Sequence, residues 1–336
     1  MSVEVRVLDL STDAHEWNRA VDRSTGTNPF YRSEALTLQA AETGTTVHPL
    51  AGYKGQEVVG LFPVFTLSKG PLAAAFSPPP RSWSCYLGPA MVNAEKLKRR
   101  KVDRRTRRFV EGCLDWLEDT FSPLYATFTV GEFDDLRPFA WNGYHVEPGY
   151  TYVVDLDQSE DTLLDQFSSD ARRNIRSARD SAATITEGTP ADVEAIVEQV
   201  AARYESQGRP FQLSPSYARS LYEELPEGTV RPYTCRIDGE FYGGILVVET
   251  TRSRYRWQGG VKLDDDVDVA INDLLDWHVM RDGIRDGHER YDLVGAGVPS
   301  INRYKAKFNP ALESHYTVTN GVLGFDRLID RVGKYL

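Results

Sequence analysis

Apolar, β-prone runs flank a tight turn at two places in the chain. Leu50 to Phe65 reads LAGYKGQEVVGLFPVF, with β-prone runs flanking Lys54-Gly55, and Tyr233 to Val248 reads YTCRIDGEFYGGILVV, flanking Asp238-Gly239. A turn pair ending in glycine between two such runs predicts a β-hairpin. Each second strand also carries a glycine at the same offset, Gly60 and Gly243.

The likeness between the two regions continues in one order. SCYLGPAMV and YRWQGGVKL read as aromatic-rich strands, followed by EKL and VKL, a charged stretch, and helices containing CLDWLED and LLDWHVM. The triplets Leu114-Asp115-Trp116 and Leu275-Asp276-Trp277 are identical. Then come the strands LYATFTV and RYDLVGA, the short helical pieces DDLRPFAWNGY and SINRYKAKFNP, and the closing strands GYTYVVDL and SHYTVTNG. An ordered series of this kind is the signature of duplication. It predicts an α/β (α+β) protein of two tandem domains, each a mixed, mainly antiparallel sheet flanked by helices, over residues 1–156 and 157–336. The boundary falls near Asp155 to Glu160, with Asp157 or Ser159 as the N-cap of the next helix.

Composition narrows the class. The 336 residues are 41% hydrophobic and 11% aromatic, enough for two real cores. No stretch approaches the roughly eighteen uninterrupted apolar residues of a membrane span, and the first residues, MSVEVRVLDLSTDAHEW, lack the basic and apolar regions of a signal peptide. Cys85, Cys113 and Cys235 are odd in number and never spaced CxxC, which fits a reducing cytoplasm and argues against a zinc site. With a net charge of -10 the chain is no general polyanion binder, yet Lys96 to Arg108 holds nine Lys or Arg. That run reads either as a solvated helix start or as a seat for a polyanion.

The order of elements resembles the GNAT acyltransferase fold, and two copies in tandem resemble the Fem-type aminoacyltransferases and their CelD-like acetyltransferase relatives. Four segments carry the likeness: NPFYRSEALTLQAA, AFSPPPRSWSCYLGPAMV, SSDARRNIRSARDSAATI (similar to an R-x-N-I-R-x-A helix), and YDLVGAGVPSINRYKAKFNP, with its Phe/Tyr-Lys-x-x-Phe segment. The resemblance implies an N-acyltransferase with no tightly bound cofactor or metal. It would take an acyl-CoA or an aminoacyl-tRNA as co-substrate and a small-molecule or peptide amine as acceptor, in a cleft of the C-terminal domain near the domain interface. One departure bears on the donor. The glycine-rich pyrophosphate loop of acetyl-CoA-using relatives is replaced by KLDDDVDVAINDLL, where Asp264, Asp265, Asp266 and Asp268 would repel phosphate. The donor stays open between the two classes. The run at Lys96–Arg108 lies at the matching place in the first copy, which makes tRNA or another polyanion its candidate partner. The other reading of the whole chain is an inactive tandem module that binds RNA or another polyanion through its basic stretches.

Acyl transfer to an amine needs a neutral acceptor, a stabilised oxyanion and aligned reactants. By the resemblance, Lys305 supplies positive charge at the transferring carbonyl or at a donor phosphate, with Tyr304 and Phe308 packed to position it. Arg172, Arg176 and Arg179 share a helix face that could clamp a phosphate, and Arg173 lies about 100° away. Trp257 and Gln258 fall on a central strand where an acceptor would lie, although core packing would equally explain Trp257. Asn272, a substrate-binding candidate, and Asp276 lie one turn apart on the following helix, where their plainer role is to cap or face solvent; Asp292, also a substrate-binding candidate, ends a strand and could accept an amine proton, although an Asp there more often caps a turn. His278 and Asp282 spell an HxxxD on a regular helix, and GAGVPS is not a GxGxxG.

Overall fold

In a computed structural model, residues 3–70, 72–177, 182–260 and 269–321 are described. In chain order the strands are β1 (Glu4–Val7), β2 (Thr46–Lys54), β3 (Glu57–Lys69), β4 (Leu72–Ser77), β5 (Ala90–Met91), β6 (Tyr125–Val130), β7 (His145–Asp155), β8 (Ala183–Glu187), β9 (Val230–Ile237), β10 (Glu240–Glu249), β11 (Ser253–Gly259), β12 (Arg290–Asp292) and β13 (Ala311–Gly321). The helices are α1 (Leu10–Val21), α2 (Ser33–Thr43), α3 (Arg99–Phe121), α4 (Arg137–Trp141), α5 (Glu160–Gln166), α6 (Ser169–Ser177), α7 (Pro190–Ser206), α8 (Pro215–Glu224), α9 (Ile271–Asp286) and α10 (Pro299–Ala306).

Two compact units result, one from residues up to Pro148 together with those from His315 on, the other from Gly149 to Ser314. In the first the strand order is β1-β2-β3-β4-β6-β13; in the second it is β8-β9-β10-β11-β12-β7. Both sheets are antiparallel except at one place, β4 with β6 and β11 with β12. The units share one plan, with α3 and α9 each linking the parallel pair. Each receives its closing strand from the other half of the sequence, since β13 pairs with β6 and β7 with β12. The sequence reading divides the chain at 156/157; the compact units change over at Pro148/Gly149, because a closing strand is held by its ladder and not by its neighbours in sequence.

Local chemistry explains the elements. The predicted hairpins are β2–β3 and β9–β10, turning through Gly55 (φ 64°) and Gly239 (φ 87°). In each, the register slips by one residue just before the repeated glycine. At Gly60 a side chain would strike the Phe109 ring at 2.5 Å, so glycine is needed for the close approach of α3. In α3, buried Phe109, Val110, Cys113, Leu114 and Leu117 recur at helical spacing and cover the first sheet. Ser159 is the N-cap of α5, accepting from the Thr162 N–H at 3.2 Å.

Two parts of the repeat are corrected. SCYLGPAMV is mostly loop, with only Ala90–Met91 forming a short strand on β3, and the strand equivalent to β11 is β4, whose sequence LAAAFS is short and alanine-rich. The identical Leu-Asp-Trp triplets are not equivalent in space, for Asp115 is exposed on α3 whereas Asp276 is buried on α9. Among the described residues no helix is long and apolar enough to cross a membrane.

Candidate active site

The parallel pairing of β11 with β12 lasts three residues, Ser253–Tyr255 against Arg290–Asp292. β12 then ends, while β11 continues through Gly259 with no partner on that side among the described residues. This leaves a notch in the second sheet. Along it Trp257 is the extra residue of a β-bulge, since Arg256 faces Val247 and Gln258 faces Leu246. Trp257 is buried and Gln258 half-buried.

The chain leaving β12 turns tightly through Val294 (φ 52°) and Gly295 (φ 82°). Asp292 organises this turn: its carboxylate accepts from Thr151 Oγ1 at 2.5 Å and from the Val294 N–H at 2.7 Å, and the Gly295 N–H donates to Thr151 Oγ1 at 3.0 Å. The turn directs two carbonyls onto Lys305, whose Nζ donates to Val294 O at 2.8 Å and Gly295 O at 2.7 Å. Lys305 is 7% exposed. Burial, reinforced by the Arg256 guanidinium and opposed by Asp292 and Asp276, lowers its pKa to about 8. An ammonium has three donors, and the carbonyls take two.

Behind the lysine stands Asp276, fully buried on α9. It accepts from Arg256 Nε at 2.9 Å, Tyr291 OH at 2.7 Å and Tyr304 OH at 2.5 Å. Burial first, then the charge of Asp276, pushes both phenols well above the ordinary tyrosine range. Tyr304 is therefore a neutral donor locked to a carboxylate. A second tie runs beside it: Lys307 pairs with buried Asp273, which also accepts from Asn174 Nδ2 at 2.7 Å, joining α6, α9 and α10. Lys307 Nζ lies 4.4 Å from the Tyr304 ring centre, and Phe308 packs edge-on against Tyr304 and Phe167.

The α6 arginines sit apart from this cluster. Arg172 donates to the carbonyls of Asp165 at 2.7 Å and Phe167 at 3.0 Å, so it finishes α5 rather than standing free. Arg173 is exposed and paired with Asp170 at 3.1 Å. Arg176 is exposed, and the three line one shallow surface hollow. Arg179 and Asp264, Asp265, Asp266 and Asp268 lie outside the described residues. Asn272, half-buried, is in the first turn of α9. His278 and Asp282 approach to 3.5 Å across one turn of the same helix, and burial lowers the imidazole pKa.

Sequence reasoning missed Arg256, Tyr291 and the zero-exposure Arg254. Arg254 binds Glu249 at 3.0 Å, Asp286 at 2.6 Å, Tyr233 OH at 3.1 Å and Val279 O at 2.9 Å. The signal was present: two arginines at i and i+2 on one face of a central strand, interleaved with the aromatic Tyr255 and Trp257, demand buried carboxylates.

Residues 167–306 match the family model of an acetyltransferase (GNAT) domain, a span containing the Arg256–Asp276–Tyr304 network and Lys305. Over its length the chain has the fold of FemX, at 13% identity, TM-score 0.71, and coverage of 93% of this chain and 96% of that one. It is also similar to L-PGS from Bacillus licheniformis (11% identity, TM-score 0.54, coverage 91% and 97%). A conserved protein of unknown function from Bacteroides thetaiotaomicron gives 12% identity, TM-score 0.57, and coverage 94% and 99%. No curated protein matches the sequence. The chain thus has the fold of FemX, and residues 167–306 within it match a GNAT acetyltransferase domain.

Proposed function

We propose that the protein is an N-acyltransferase that moves an acyl or aminoacyl group onto a primary amine, with the reaction at the notch between β11 and β12. The observation that carries this reading is Lys305: a buried ammonium fixed by two carbonyls, with one N–H left over, beside an opening in the sheet. That third N–H would donate to the oxyanion as the acceptor nitrogen attacks the donor carbonyl. The new C–N bond forms, the C–S or C–O bond to the donor breaks, and the proton lost by nitrogen ends on the departing sulfur or oxygen. Tyr304 and Asp276 position the lysine helix, while Trp257, Gln258 and Asn272 line the approach for a small-molecule or peptide acceptor. Three cysteines outside any disulfide, two of them buried, fit a cytoplasmic enzyme.

The donor is an acyl-CoA or an aminoacyl-tRNA, and one feature favours a polyanion. From Arg99 on, the Lys96–Arg108 run forms the start of α3; Lys98 at its N-cap and Arg100, Lys101 and Arg104 within it are exposed and have no carboxylate partner among the described residues. Cations at a helix N-terminus oppose its dipole, and Arg100 and Arg104 repel each other one turn apart. A bound polyanion such as tRNA would relieve both, and an inactive module binding RNA through α3 is the second reading. Purifying the protein and identifying co-purifying CoA or tRNA, followed by a transfer assay with the donor found, separates them. Transfer to an amine supports the enzyme; nucleic-acid binding without transfer from either donor supports the module.

A further inference from the structure

The strap formed by Val294, Gly295 and Ala296 divides its backbone groups between two sides. Its carbonyls all face α10: Lys305 Nζ donates to Val294 O at 2.8 Å and to Gly295 O at 2.7 Å, and Asn302 Nδ2 donates to Ala296 O at 2.8 Å. Its N–H groups all face β12 and β7. Val294 donates to Asp292 at 2.7 Å, Gly295 to Thr151 Oγ1 at 3.0 Å, and Ala296 to Tyr150 O at 2.7 Å. Lys305 on one side and Asp292 on the other are both buried.

One peptide group in this strap connects the two charges. The carbonyl of Val294 and the N–H of Gly295 belong to the same peptide unit, so a hydrogen bond at one end polarises the other. Lys305 holds the oxygen end. The nitrogen end donates to Thr151 Oγ1, and the Thr151 hydroxyl donates in turn to Asp292 Oδ1 at 2.5 Å. The series runs ammonium, peptide, hydroxyl, carboxylate, with every donor pointing toward Asp292. Hydrogen bonds in such a series strengthen one another where the dielectric is low. Thr151, buried on β7, is the side chain of the series that both accepts and donates.

We propose that Thr151 is a positioning residue for Lys305: through the Val294–Gly295 peptide its hydroxyl ties the buried ammonium to the Asp292 carboxylate and keeps it charged at the notch. No proton moves along the series; it is polarised and held. The proposal rests on the transferase reading for its purpose, but the link itself is measured without any transfer. Asp292 also acts on Lys305 through space, as do Asp276, which favours the charge, and the Arg256 guanidinium, which opposes it. The phenols of Tyr291 and Tyr304 stay neutral, and on α10 itself Lys307 is paired with Asp273 and Arg303 is exposed. A through-space effect does not need the Thr151 hydroxyl, which separates the two. In Thr151→Val, Asp292 keeps its bond from the Val294 N–H and its field stays in place, while the series is cut.

The test is an NMR titration of the full chain, isotope-labelled at the lysine ε carbons, in which the Lys305 signal is the one missing from Lys305→Arg. Its midpoint is expected to fall by about half a pH unit in Thr151→Val, in line with the weakening of one charge-assisted hydrogen bond. It should return in Thr151→Ser, which keeps the hydroxyl. Thr151→Ala cuts the same link and stands in for Thr151→Val if that chain does not fold. An unchanged or higher midpoint in Thr151→Val overturns the proposal. So does a Thr151→Ser midpoint that stays low, because packing and not the hydroxyl would then be responsible. Where transfer is observed, its decline at high pH should move to lower pH by the same amount as the midpoint. A shifted midpoint without transfer from either donor keeps the link and removes the transferase reading, whereas transfer with the midpoint unmoved keeps the transferase and removes the link.

Discussion

Lys305 places its Nζ 2.8 Å from the carbonyl of Val294, and Val294 is a β-branched residue in left-handed backbone at φ 52°. Valine is among the residues least suited to that region, and such strain persists only where the surroundings impose it. Here they are Asp292 and Thr151, which bind the turn from the other side. Val294→Gly should therefore stabilise the fold by about 1 kcal/mol, read as a midpoint raised by a few degrees. A lower midpoint would mean that the turn carries no strain.

The lysine's charge sets a pH limit. Below its pKa of about 8 the ammonium has a donor to spare after serving the two carbonyls. Above it, the neutral amine has two N–H groups, both engaged. Initial transfer rates, after allowance for the acceptor's own deprotonation, should fall as pH rises past about 8. Lys305→Arg, which cannot deprotonate in this range, should lose the descending limb even if it is slower throughout. A descending limb that persists in Lys305→Arg would assign it to another group.

Asp276 neutralises Arg256 and accepts from two buried phenols. Removing it in Asp276→Ala strands a buried guanidinium, at a penalty of about 3–5 kcal/mol. Tyr304→Phe removes one neutral donor and should cost about 1 kcal/mol. Urea unfolding of the two variants gives the ratio, and equal losses would contradict the central place given to the carboxylate.

The start of α3 should respond in the opposite sense to most charge reversals. Arg100→Glu with Arg104→Glu puts acids where the helix dipole favours them, so stability should hold or rise by about 0.5 kcal/mol. The same pair should weaken binding of tRNA or heparin and flatten its dependence on salt. Unchanged binding would leave the basic run as a solvated helix face.

Much of this was legible in advance, for identifiable reasons. The hairpins announced themselves because a turn pair ending in Gly55 or Gly239, each at positive φ, stands between β-prone runs. The order of elements followed from the repeat, and Lys305 entered as a candidate through its likeness to a family segment. The exchange of closing strands was hidden, because period-two patterning says that GYTYVVDL and SHYTVTNG are strands but not which sheet takes them. LAAAFS escaped because alanine-rich runs carry little strand signal, while aromatic SCYLGPAMV drew attention and turned out to be loop. Arg172 looked like a free cation because nothing in its helix shows that α5 ends against it. Arg256 and Asp276 were both visible, but their pairing joins a strand to the next helix across the sheet, which spacing along the chain does not encode.

The central claim is that Lys305 serves the transferring carbonyl. The most direct measurement is single-turnover transfer by Lys305→Ala at saturating donor and acceptor, with donor affinity measured alongside. We expect the chemical step to slow by about 10²–10³-fold, the usual effect of removing one oxyanion donor, while donor binding is largely retained. Transfer at the wild-type rate would contradict the account.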